Sequence, residues 1–136
     1  MNKLFFTAIL IVACFSVKAQ QTPVAVKDSN AIKELFFAGL KEKLTENYVN
    51  ASSSFSKILI IDPNNDAAHF ELANLQLRQN KVLDAEVSIK KALAVQSSNV
   101  WYLKLQSEVY KRNGNMEALI QTFDKLIALD PEYENY

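Results

Sequence analysis

The side chains that could do chemistry are few and scattered. His69 is the only histidine in 136 residues, and a metal site needs a cluster of His, Cys or carboxylate ligands. Ser52-Ser53-Ser54 offers three hydroxyls, but nucleophilic catalysis needs an adjacent base and none stands nearby in sequence. Gly39 and Gly114 are the only glycines, too far apart to form a phosphate-cradling loop. The carboxylates are dispersed among lysines, as in Asp84 and Glu86 beside Lys90 and Lys91. That is the pattern of a solvated helix face. The chain is therefore expected to be no enzyme, and to hold no metal and no cofactor.

The elements that carry these residues are more informative. Asp66 to Asn99 reads as one helix-turn-helix hairpin. Ala67 to Leu77 is rich in strong helix formers with apolar residues at helical spacing. Asn80-Lys81 breaks the run, since asparagine tolerates the left-handed conformation that ends helices. Val82, Ala85, Ile89, Ala92 and Leu93 then form an apolar stripe on a second helix. Ser97-Ser98-Asn99 stops that helix and offers a cap to the next. A lone hairpin cannot bury both of its faces, so it needs neighbours.

The neighbours recur at a period of 34 residues. Ala51, Ala85 and Leu119 stand at this spacing, as do Tyr48, Val82 and Met116, Phe55, Ile89 and Phe123, and Ile58, Ala92 and Leu126. Breakers keep the same beat: Asp62-Pro63, Gln96-Ser97 and Asp130-Pro131 between hairpins, and Glu46-Asn47, Asn80-Lys81 and Gly114-Asn115 within them. Gly39, Ala73 and Ser107 align where paired helices must approach closely.

Two helices per 34-residue unit resemble the tetratricopeptide repeat (TPR), including its Ala-x3-Phe…Pro pattern. Here the pattern stands as Ala51-x3-Phe55…Pro63, Ala85-x3-Ile89…Ser97 and Leu119-x3-Phe123…Pro131. It departs from the family at the early aromatic position, held by Leu35, His69 and Leu103, and at Ser97, which replaces proline. The resemblance implies an all-α, right-handed α-solenoid of about three repeats, near 32–65, 66–99 and 100–133, within a domain of residues 31–133. Residues 134–136 would start a fourth repeat. It also implies that His69 fills a bulky packing position.

The resemblance further implies a concave groove lined by the first helix of each unit. Carried onto this chain, the inward positions are Lys33, Phe36, Leu40 and Lys43 in unit one. They are Phe70, Asn74, Leu77 and Arg78 in unit two, and Trp101, Lys104, Glu108, Lys111 and Arg112 in unit three. Aromatics and arginines dominate binding hot spots, so the implied partner is a peptide or protein with apolar anchors and some acidic character. The family's clamp for chaperone tails is not expected, because Phe36, Leu40, Trp101 and Leu105 occupy places where it needs polar groups.

Composition and the chain's ends complete the reading. Hydrophobic residues make up 49% of the chain, enough for one core. Fifteen basic residues balance fifteen acidic ones, so no nucleic-acid footprint is visible. Met1 to Ala19 reads as a cleavable leader, with Lys3, an apolar run from Leu4 to Phe15, and the Ala-x-Ala-like Val17-Lys18-Ala19. The run is too short for a permanent membrane span. Cys14, the only cysteine, closes an Ile11-Val12-Ala13-Cys14 stretch that resembles the bacterial lipobox, and lipidation there is the alternative to cleavage after Ala19. Either way the protein is expected outside the cytoplasm, in the periplasm or at the outer membrane. Residues 20–30 read as a linker, with Ser29 or Asn30 capping a first helix over 31–44. Further helices are expected over 48–61 and near 66–79, 82–95, 100–113 and 116–129.

The last helix carries Ile120, Phe123, Leu126, Ile127 and Leu129, too many apolar residues for one face, which suggests a longer array or self-association. The expected function is a non-catalytic protein-interaction scaffold of the cell envelope. The alternatives are an accessory segment of a larger envelope enzyme or signalling protein, and an outer-membrane assembly lipoprotein.

Overall fold

In a computed structural model, residues 28–131 are described. They form six helices and, among the described residues, no strand: α1 (Ser29–Leu44), α2 (Tyr48–Ile61), α3 (Asp66–Arg78), α4 (Val82–Val95), α5 (Val100–Asn113) and α6 (Met116–Leu129). Each helix packs on the next in sequence, and α3 also touches α5. The result is a helical solenoid of three hairpins. The leader, Cys14, most of the linker and residues 132–136 lie outside the described residues.

Local chemistry fixes the helix ends. Asn65, Asn99 and Asn115 cap α3, α5 and α6, their side-chain oxygens accepting from Ala68, from Trp101 and Tyr102, and from Ala118. Such caps satisfy amides that have no partner inside the helix. At α1 the sequence reading needs correction. The cap is Asp28, whose Oδ1 accepts from the amides of Asn30 and Ala31 at 3.1 Å. The helix therefore starts two residues earlier than expected, and Ser29 and Asn30 lie inside it.

The turn within each hairpin repeats one geometry. Glu46, Asn80 and Gly114 all adopt positive φ, at 58°, 61° and 75°. After each, an amide reaches back to close the preceding helix: Asn47 to Glu42 O, Lys81 to Gln76 O and Asn115 to Tyr110 O. A left-handed residue followed by this long backbone bond is the Schellman stop.

Two apolar clusters form the core, and α3 contributes to both. Ala51, Phe55 and Ile58 of α2 meet Ala68, Leu72 and Leu75 of α3. Ala73 and Leu77 of α3 join Ala85, Ile89 and Ala92 of α4 and Tyr102 and Val109 of α5. Gly39, Ala73 and Ser107, the small residues at matching positions, are all buried. His69 is buried as well, with Nε2 2.9 Å from the carbonyl oxygen of Pro63. A carbonyl only accepts, so Nε2 carries the proton and ties α3 to the turn before it.

Candidate functional site

The first helices of the hairpins, α1, α3 and α5, share one side of the solenoid, and polar bonds stitch them together there. Lys43 Nζ on α1 donates to Glu71 Oε2 on α3 at 2.6 Å, with both side chains largely buried. On the other flank of α3, the ring of Phe70 stacks on Tyr102 of α5 with centroids 4.9 Å apart. The Tyr102 hydroxyl donates to Asp66 Oδ2 at 2.8 Å, and the Gln96 amide donates to the same oxygen. Burial pushes the Tyr102 hydroxyl well above the usual tyrosine range, and its bond to Asp66 adds to the effect. Nη1 of Arg112 donates to the carbonyl of Leu77 at 3.1 Å.

These contacts sort the expected groove residues. Phe36 meets Phe55 edge-on at 5.4 Å and, with Leu40, packs against the α2–α3 cluster. Leu77 belongs to the core and offers almost no surface. Phe70 is half-buried in its stack, and Lys43 is engaged by Glu71. Asn74 is half-buried one turn after Phe70 on α3. What remains open lies mainly on α5 and at the end of α3. Trp101 is 70% exposed, Lys104 holds its ammonium 5.2 Å from the Trp101 ring centroid, and Arg78, Lys111 and Arg112 are exposed. Glu108 pairs with Arg112 at 2.8 Å. The open surface thus carries an indole with one cation beside it at the start of α5, and Arg78, Lys111 and Arg112 at the far ends of α3 and α5.

Sequence reasoning missed three residues of this side. Phe37 and Leu44 on α1 are 70% and 84% exposed. Their 34-residue equivalents are Glu71 and Leu105, and Arg78 and Arg112. The signal was available: Phe37 stands where Glu71 reaches back to the preceding unit, and α1 has no preceding unit among the described residues. Glu71 was also missed, because its partner Lys43 is 28 residues away and no local pattern links them.

Elsewhere the surface holds two related hollows. One, of about 540 Å³, is lined by Pro63, Asn64, His69, Lys91, Ala94 and Val95. The other, of about 320 Å³, is lined by Ser97, Ser98, Lys125, Ala128 and Leu129. These second residues stand 34 after Pro63, Asn64, Lys91, Ala94 and Val95, so the hollows are one packing feature of the repeat seen twice. Among the described residues no group of three or more His, Cys, Asp or Glu side chains could hold a metal ion. Among them, too, no helix is long and apolar enough to cross a membrane.

No family model matches the chain, and no curated protein matches it. Solved structures do. The first TPR of Spaghetti (RPAP3), bound to the HSP90 peptide SRMEEVD, superposes with a TM-score of 0.72 at 22% identity, covering 79% of this chain and 90% of that one. A tetratricopeptide repeat protein from Parabacteroides merdae gives 0.73 at 23% identity, over 78% of this chain and 43% of that one. The TPR2B domain of yeast Sti1, in a pHsp70 complex, gives 0.71 at 15% identity, over 79% and 86%. The chain thus spans less than half of the Parabacteroides protein. Three hairpins at a 34-residue period, with close-packed small residues at matching positions and these superpositions, show that the chain has the tetratricopeptide-repeat fold.

Proposed function

We propose that the protein is a non-catalytic interaction module whose α1–α3–α5 side binds an extended or helical peptide with an apolar anchor and acidic flanks. The observation that carries this reading is Trp101: a 70% exposed indole with the Lys104 ammonium 5.2 Å from its ring centroid, on a helix whose far end carries the exposed Lys111 and Arg112. Leaving a tryptophan in water costs the hydrophobic gain of burying it, and tryptophan and arginine are residue types enriched in binding hot spots. The reading gains support from similar folds in Spaghetti (RPAP3), bound to an HSP90 peptide, and in yeast Sti1, in a pHsp70 complex. We further propose that the module works outside the cytoplasm, on the strength of the leader-like residues 1–19.

Trp101 is also the only tryptophan, so it reports on its own site. Titrating the full chain with a peptide carrying one bulky apolar residue among aspartates and glutamates should shift Trp101 emission to the blue, saturably and less at high salt. Lys111→Glu with Arg78→Glu should abolish the shift. An emission maximum that stays fixed for acidic peptides, or one that shifts equally in the double variant, overturns the groove assignment.

A further inference from the structure

Asn113 is the only asparagine followed by glycine in the sequence, and each of the two residues has its own structural reason to be there. Gly114 takes the left-handed turn position at φ 75°, which a residue without a β-carbon adopts freely. Asn113 ties the third hairpin to the second. Its Nδ2 donates to Glu86 Oε2 on α4 at 2.7 Å, and its Oδ1 accepts from the amide of Asn115 at 3.1 Å. The matching pairs in the earlier turns are Thr45-Glu46 and Gln79-Asn80, and neither joins an asparagine to a glycine. The pairing has a chemical consequence. The side-chain amide carbon of asparagine is an electrophile for the backbone nitrogen of the next residue, and glycine hinders that approach least. In the attack the Gly114 nitrogen loses its proton and bonds to Asn113 Cγ, the Cγ–Nδ2 bond breaks, and ammonia leaves. Water then opens the cyclic imide at one of its two carbonyls, giving aspartate or isoaspartate.

The fold both poses and restrains this reaction. By donating to Oδ1, the Asn115 amide polarises the carbonyl that is attacked, as a donor aimed at a developing oxyanion does. The attacking nitrogen, however, is occupied, because the Gly114 N–H donates to Tyr110 O at the end of α5. The departing Nδ2 is held by Glu86. Both bonds must part before the imide can close, so the last turn of α5 has to open first. We propose that Asn113 is a deamidation site gated by this opening, and that its product loosens the third hairpin from the second. A carboxylate at this position takes the donor away from Glu86 Oε2 and sets a second negative charge beside it. Glu86 Oε1 is already engaged by Lys90, and Arg112 is bonded to Glu108 and to the Leu77 carbonyl. The new charge also stands at the C-terminal end of α5, where the helix dipole disfavours it. Isoaspartate adds a methylene to the main chain in the turn itself, displacing the amides of Gly114 and Asn115 that both close on Tyr110 O.

The test incubates the full chain at mildly alkaline pH, folded and in guanidinium chloride, and maps amide-to-acid conversion residue by residue by mass spectrometry. In denaturant Asn113 should react before every other asparagine. In the folded chain it should react about tenfold more slowly or less, because opening must precede the chemistry. Glu86→Ala, which frees Nδ2, should speed the folded-state reaction and leave the rate in denaturant unchanged, with circular dichroism confirming that its helices persist. Asn113→Gln should remove the signal. Asn113→Asp should unfold at a lower denaturant midpoint than the parent chain, and Glu86→Gln in the same protein should recover part of the loss, since a glutamine amide can donate to the new carboxylate. Earlier reaction at another asparagine in denaturant, equal rates in the folded and unfolded chain, or an unchanged midpoint for Asn113→Asp overturns the proposal. All of these readouts are masses and midpoints, so they stand or fall separately from the groove assignment.

Discussion

The ring of Phe55 lies directly on the α-carbon of Gly39. A β-carbon built on Gly39 would stand 2.7 Å from Cζ of that ring, inside any real carbon contact. Phe55 is fully buried, so the ring has little room to retreat. Gly39→Ala sets a helix-propensity gain of about 1 kcal/mol against an overpacking cost of about 1–3 kcal/mol. The clash wins. A net loss of stability is expected in chemical denaturation, and Gly39→Val should lose more. Unchanged stability in both would mean that α1 and α2 separate freely.

The three left-handed turn residues give a graded test. Gly114 at φ 75° takes that conformation without penalty, whereas Glu46 at φ 58° is strained by its side chain. Glu46→Gly should therefore stabilise the protein by up to about 1 kcal/mol, and Gly114→Ala should destabilise it by about 1–2 kcal/mol. Opposite signs at two equivalent positions, read as shifts in denaturation midpoint, are the signature.

Lys43 and Glu71 tie the first two hairpins together with both side chains mostly out of water. Lys43→Met strands a buried carboxylate and should cost about 1–3 kcal/mol. Glu71→Leu in the same protein should recover part of that loss, because the stranded charge is gone. A double-mutant cycle with no coupling would refute the pairing.

Tyr102 predicts an alkaline effect. Its hydroxyl is held in the protonated form in the folded state, by burial first and then by Asp66. The unfolded chain ionises near the ordinary tyrosine value of about 10 while the folded chain does not. The stability this group supplies is thus fully present below about pH 10 and is lost as pH rises beyond it. Tyr102→Phe should be less stable at neutral pH, from the lost bond to Asp66, and its stability should fall less steeply above pH 10. Parallel pH profiles for the two proteins would remove Tyr102 from the account.

The fold was legible because its signals are local and repeated. Asn80 and Gly114 announce their turns by residue type, and Asn99 announces a cap. The limits of α2, α4, α5 and α6 fall where the repeated breakers place them. α1 was placed late because Asp28, Ser29 and Asn30 can each cap, and the backbone alone chooses among them. The candidate site was legible only in outline. A helix face is wide, and positions three or four apart fall on either side of the boundary between groove and core. Phe36, Leu40 and Leu77 fell inward because neighbouring helices left room there. Trp101 stayed outside. The tie between Lys43 and Glu71 depends on how two hairpins stack, which no single stretch of sequence encodes.

Because α3 supplies residues to both apolar clusters, neither can survive its departure. The outer helices can fray one at a time while the middle of the spool stays shut. Amide protons along Asp66–Arg78 should consequently be the last to exchange with solvent, and any pull on the two ends would be felt there as the final barrier to come apart.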